Sequence, residues 1–138
     1  MRKILSCFIL VMLILISAGC GVFNEDNVKK EDISKLSIST SKEFGGLNEE
    51  YFINIEDEEK LKGIHNLLND VKKQKRSDKK PQYDLLNTYK NGATHGIHLY
   101  LGDAGEQSVI MYIGHEETAY YISAEMTKQL RKIIIKNE

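Results

Sequence analysis

Two spacings of apolar residues take turns along this chain. From Ile33 to Lys42, Leu36, Ile38 and Thr40 fall on one parity and Ile33, Ser37 and Ser39 on the other, as a strand with one buried face requires. Phe44-Gly45-Gly46-Leu47 supplies turn glycines and Tyr51 to Ile55 reads as the returning strand, so the pair predicts a hairpin with a long loop. The spacing then changes to three and four. Leu61, Ile64, Leu67, Leu68 and Val71 form one stripe of an amphipathic helix, opened by Glu56-Asp57-Glu58-Glu59, where the helix dipole favours negative charge. The last turn of that helix and the loop beyond it, Lys72 to Lys80, are strongly basic, and Pro81 forbids continuation.

Period two then returns. Tyr83 to Lys90 is followed by the turn Asn91-Gly92. Ile97, Leu99 and Leu101 alternate with His98 and Tyr100, and after Gly102-Asp103-Ala104-Gly105, Val109, Met111 and Ile113 alternate with Ile110 and Tyr112. A polar turn from Gly114 leads into Ala119 to Ile122. Ser123 is then the N-cap of a last helix with Met126, Leu130, Ile133 and Ile134 on one face. The order is β-β-α-β-β-β-β-α. It predicts a two-layer α+β domain, an antiparallel sheet of about six strands with two helices on one face.

Residues 1–19 stand apart. Met1-Arg2-Lys3 is basic, Ile4 to Ile16 is apolar except at Ser6 and Cys7, and Ser17-Ala18-Gly19 precedes Cys20, the anatomy of a secretory signal peptide. The apolar run is shorter than the roughly 20 residues a membrane-spanning helix takes. The small-small-Cys ending resembles the lipobox of bacterial lipoproteins, which implies that the Cys20 sulfur receives a diacylglyceryl group and becomes the mature N-terminus. An uncleaved anchor and plain secretion are the lesser alternatives. Residues 20–32, polar and charged, read as a tether, and 33–138 as a single domain. The expected location is the extracytoplasmic face of the cell membrane, held by lipid.

Composition narrows the partners. The chain carries 19 Lys and Arg against 20 Asp and Glu, a net charge of -1, and losing Arg2 and Lys3 with the signal takes it to -3. An acidic chain of this kind is not expected to bind nucleic acid. Cys7 leaves with the signal and Cys20 is consumed by lipid, so the domain must be stabilised by burial without disulfides.

The run from Pro81 to Gly102, PQYDLLNTYKNGATHGIHLYLG, the Tyr-rich ending YYISAEMTKQLRKII from Tyr120 to Ile134, and the helix start IEDEEKLKGI together resemble the small YhfM-like lipoproteins of Bacillus-type Gram-positive bacteria. The resemblance spans most of the mature chain and implies an exported, lipid-anchored domain. Its motifs are strand, turn and cap patterns, so it brings no chemistry and no site residues with it.

Chemistry has few candidates. His95 and His98, with His115 beside Glu116 and Glu117, sketch a His/His/carboxylate metal site. An odd separation sends residues 95 and 98 to opposite faces of a strand unless Gly96 bends it, and Ala119 stands where an HExxH motif needs its second histidine. Ser39-Thr40-Ser41-Lys42 and Ser77-Asp78-Lys79-Lys80 match S-x-x-K without the helix start and larger domain that the chemistry uses. No catalytic residue, cofactor or metal set is expected. The basic stretch with Lys72, Lys73, Lys75 and Arg76 suits anionic headgroups or a wall polymer. His98, Tyr100, Ile110 and Tyr112, joined by Tyr120 or Tyr121, are expected on an uncovered sheet face, and tyrosine there suits a protein partner. The functional expectation is a non-enzymatic binding module for an envelope protein or anionic wall polymer. The alternative is a metal- or small-ligand-handling protein or enzyme built on the His95/His98/His115 region.

Overall fold

A computed structural model describes residues 33–75 and 77–135. The expected signal peptide, Cys20, the expected tether and Arg76 lie outside the described residues. Strands β1 (Ile33–Thr40) and β2 (Tyr51–Ile55) precede helix α1 (Glu58–Asn69). Then come β3 (Lys72–Lys75), β4 (Tyr83–Tyr89), β5 (Thr94–Tyr100), β6 (Ser108–Tyr112), β7 (Thr118–Ile122) and helix α2 (Ala124–Ile134). The seven strands form one antiparallel sheet in the order β2-β1-β4-β5-β6-β7-β3.

Both helices start where local chemistry directs. The Asp57 carboxylate accepts from the Lys60 N–H at 2.9 Å with Glu58 and Glu59 in the first turn, and Ser123 Oγ accepts from the Met126 N–H at 3.3 Å. Leu61, Ile64, Leu67 and Leu68 are the buried stripe of α1, while Val71 falls beyond its end. On α2 the buried residues are Thr127, Leu130 and Ile134, with Met126 and Ile133 half-buried. Thr127 goes inside because its hydroxyl meets Ser108 Oγ at 2.9 Å, a satisfied polar pair that docks α2 on β6.

The basic run differs from expectation. Asp70 leaves helical geometry at φ -98°, ψ 45°, and the chain from Lys72 to Lys75 becomes a seventh strand, exposed at every residue and paired with β7. The backbone ladder makes it a strand. Its lysines blunt the sheet edge against further pairing.

Register settles the faces. Residues directly opposite in an antiparallel pair share a face. Ile53, Ile38, Leu85 and Ile97 are linked in this way across β2, β1, β4 and β5, and Leu99, Ile110 and Tyr120 across β5, β6 and β7. This aliphatic face receives the helix stripes. The expected grouping of Val109, Met111 and Ile113 with Ile97, Leu99 and Leu101 is overturned, because Met111 lies opposite His98 and Val109 opposite Tyr100. The turn between β5 and β6 sets this offset. Its Gly102 packs so close to the Gln107 carbonyl that a Cβ would collide with it. Gly102 N–H donates to Ser108 Oγ at 3.1 Å.

The second face is not bare either. The connection from Ser41 to Glu50 lies over its β1-β4-β5 part, the stretch Ser77–Lys80 lies beside Tyr100, and Lys80 Nζ meets Glu43 Oε1 at 3.0 Å to tie the two straps together.

Candidate functional site

On the loop-covered face, pairing lines up Ser39, Asp84, His98 and Met111 across four strands, and all four are buried. Asp84 Oδ1 lies 2.8 Å from His98 Nδ1, and its Oδ2 accepts from the Asn48 N–H at 2.9 Å. Ser39 Oγ donates to the Asn48 carbonyl, and Asn48 Nδ2 donates to the Thr40 carbonyl at 2.8 Å. The Asp84 carboxylate therefore pins the β1–β2 loop to the sheet. The phenol of neighbouring Tyr51 is raised above its ordinary value, by burial first and then by the charges of Glu49 and Asp84.

The other ring nitrogen of His98 is capped as well. Nε2 lies 3.2 Å from the Gly45 carbonyl and 3.9 Å from Glu116 Oε1, and the Phe44 ring stands edge-on at 6.2 Å between centroids. Gly45 reaches this position at φ 147°, where a side chain would be strained, two residues after Glu43 at φ 68°. Both nitrogens thus face oxygen atoms. Glu116 closes the cluster. Burial pushes its carboxyl up, but the N–H groups of Gly114 and of Glu116 itself, followed by His98 and His115, outweigh this and leave it below the ordinary value.

Two residues further along the same face, pairing lines up Tyr100, Val109, Tyr121 and Lys72 across β5, β6, β7 and β3. Tyr100 and Tyr121, both half-buried, pack against the buried Val109, Met111 and Ala119. Lys79 Nζ lies 4.9 Å from the Tyr100 ring centroid. Together with Ser77, Asp78, Glu106 and Gln107 these rings line a groove of about 540 Å³. A larger hollow, about 740 Å³, runs between the β5–β6 turn and α2 past Ala104, Ala124 and Ile135. It has no aromatic wall, and its charges, Glu125, Lys128 and Lys132 among them, are ordinary helix-surface groups.

The expected surface is therefore divided. His98 is fully buried and contributes nothing to an exposed face, because the β1–β2 loop covers it. Tyr100 does sit on the loop-covered face, joined by Tyr121. Tyr120 is buried on the helix side, with Tyr112 edge-on to it at 5.5 Å. Lys72, Lys73 and Lys75 are exposed along β3, with Lys73 Nζ 6.0 Å from the Tyr120 centroid. The histidines do not converge. His95 pairs opposite Asn87 on the helix face and stands edge-on to Tyr89 at 5.4 Å, while His115 Nδ1 lies 3.6 Å from Glu117 Oε1. Among the described residues no three His, Cys, Asp or Glu side chains gather to hold a metal ion, and no helix is long and apolar enough to cross a membrane. Sequence reasoning missed Asp84, Asn48 and the placement of Lys79. A lone carboxylate inside an apolar strand was the available signal for Asp84.

A family model described as YhfM protein matches residues 29–138. A solved structure, that of a thioesterase-like protein from Clostridium sporogenes, aligns with a TM-score of 0.63 at 20% identity, over 75% of this chain and 94% of that one. At that identity the likeness is one of fold. Comparison with curated proteins finds no match.

Proposed function

The chain belongs to the YhfM family, and from that premise we propose that it is a binding module without turnover, held by lipid on Cys20 at the outer face of the cell membrane. The loop-covered face of the sheet takes an envelope ligand. The observation that carries this reading is the groove beside Tyr100 and Tyr121. It is within the usual size of ligand sites and combines aromatic walls with a few polar groups, whereas the buried Asp84–His98 pair is sealed from solvent. Exposed Lys72, opposite Tyr121 on β3, adds a cationic edge toward anionic surfaces. Hydrogen exchange on the full-length protein, with and without isolated cell-envelope material, tests the reading. Added protection is expected over residues 77–80 and 100–109. Protection confined to α1 and β2 would overturn it.

A second reading, hydrolysis, draws on the Asp84–His98 pair, since a carboxylate-oriented imidazole is a familiar general base. Nε2 would have to reach the substrate, and the Gly45 carbonyl and Phe44 ring occupy that side. Turnover of acyl thioesters by the full-length protein, abolished by His98→Gln, would favour this reading over binding.

A further inference from the structure

We propose that the Tyr100–Tyr121 groove is a saccharide site, taking an uncharged, hydroxyl-rich glycan stacked on the two tyrosines. This rests on the binding reading and names its ligand class.

The direct pairings Tyr100–Val109 and Val109–Tyr121 place the two rings two strands apart, about 10 Å between their backbones, over one apolar floor. Such a row is a platform. A sugar ring has an apolar C–H face, and the electron-rich face of a tyrosine ring attracts those weakly positive hydrogens. The outer face of Tyr100 is open enough that the Lys79 ammonium sits on it. A cation in that position marks where a ligand's positive edge is favoured. Lys79 has a long stem on an exposed strap, so it can move aside and donate to a ligand hydroxyl.

The rim decides among ligand classes. Asp78 and Glu106 accept hydrogen bonds, Lys79 donates, and Ser77, Gln107 and the tyrosine hydroxyls do both. A polyphosphate or other polyanion would meet the two carboxylates, which offset Lys79 and Lys72. An acyl chain would offer no hydrogen-bond partner to any rim group that it covers. Hydroxyls, each a donor and an acceptor, match a rim of mixed sign. The groove of about 540 Å³ is open to solvent rather than enclosed, which leaves room for a chain of rings.

Calorimetry on the full-length protein in nanodiscs provides the test, with an N-acetylglucosamine tetramer and maltotetraose as saccharide probes, and inorganic polyphosphate and laurate as the contrasting ones. Because the chain has seven Tyr and no Trp, tyrosine fluorescence reads the same titrations directly. A saccharide is expected to bind, with affinity falling about tenfold in Tyr100→Ala and in Tyr121→Ala, and largely kept in the corresponding Phe variants. Asp78→Ala, on the exposed rim, is expected to weaken binding severalfold whether or not the alanine variants fold well. The saccharide inference is overturned if neither saccharide binds, or if binding is unchanged in Tyr100→Ala/Tyr121→Ala. Should laurate or polyphosphate bind instead and be lost in that double variant, the ligand class is wrong while the binding reading stands. If no probe binds and hydrogen exchange shows no protection at this face, both fall.

Discussion

Asp84 is the residue whose loss the fold should feel most. It is fully buried and accepts from both His98 Nδ1 and the Asn48 N–H, so Asp84→Ala leaves two buried donors without an acceptor. Each such orphan costs about 1–3 kcal/mol, and urea denaturation should show a destabilisation of about 2–5 kcal/mol for the variant. A loss below 1 kcal/mol would mean that the β1–β2 loop is held by something else. Glu116 gives a pH signature. Its carboxyl titrates below the ordinary value of 4.5 in the folded chain, so the stability it contributes is complete above 4.5 and disappears as pH falls through the folded value. The stability gap between the wild type and Glu116→Gln should therefore close as pH falls below 4.5. A wild type that gains stability relative to Glu116→Gln below pH 4.5 would reverse the assigned direction. Neither role was legible from spacing alone. Asp84 reads as a lone acid beside Leu85 and Leu86, and only the register that sets it opposite His98 reveals the pair.

At the level of elements, chemistry that acts over one turn was easiest to read. The caps Asp57 and Ser123 lie where the acidic and hydroxyl residues indicated, and the apolar stripes of both helices follow from their spacing. Two features escaped. Alternation within β5 and β6 shows which residues share a face of each strand but not how the strands are offset, and that offset moved Val109 and Met111 to the side of His98. Strand β3 carries no apolar alternation, because it is a lysine-rich edge held by backbone pairing to β7. The turn that sets the β5–β6 offset is open to test. Gly102→Ala drives a methyl group into the Gln107 carbonyl, and the hairpin must shift. Thermal denaturation should show a loss of about 1–3 kcal/mol, accompanied by chemical-shift changes at Ser108 and Thr127, whose contact lies next to the turn. A neutral substitution would show that the close approach does not constrain the turn.

For the whole molecule, the sheet does two jobs on its two faces. The aliphatic face accepts α1 and α2 and supplies most of the core, while the other is half roofed by loops and leaves a groove between the Ser77–Lys80 strap and the tyrosines. The structure of the Clostridium sporogenes thioesterase-like protein shares this architecture at low identity. Cys20→Ala should move the protein from the membrane fraction to the soluble one on cell fractionation, and unchanged membrane retention would rule out lipid on that sulfur as the anchor. The most direct test of binding at the loop-covered face is photo-crosslinking in intact cells from a benzophenone residue at position 121, compared with one at the exposed Lys62 position on α1. A discrete adduct from position 121 that is absent from position 62, and abolished by Tyr100→Ala, is the predicted result. Equal labelling from both positions, or adducts from position 62 alone, would contradict it.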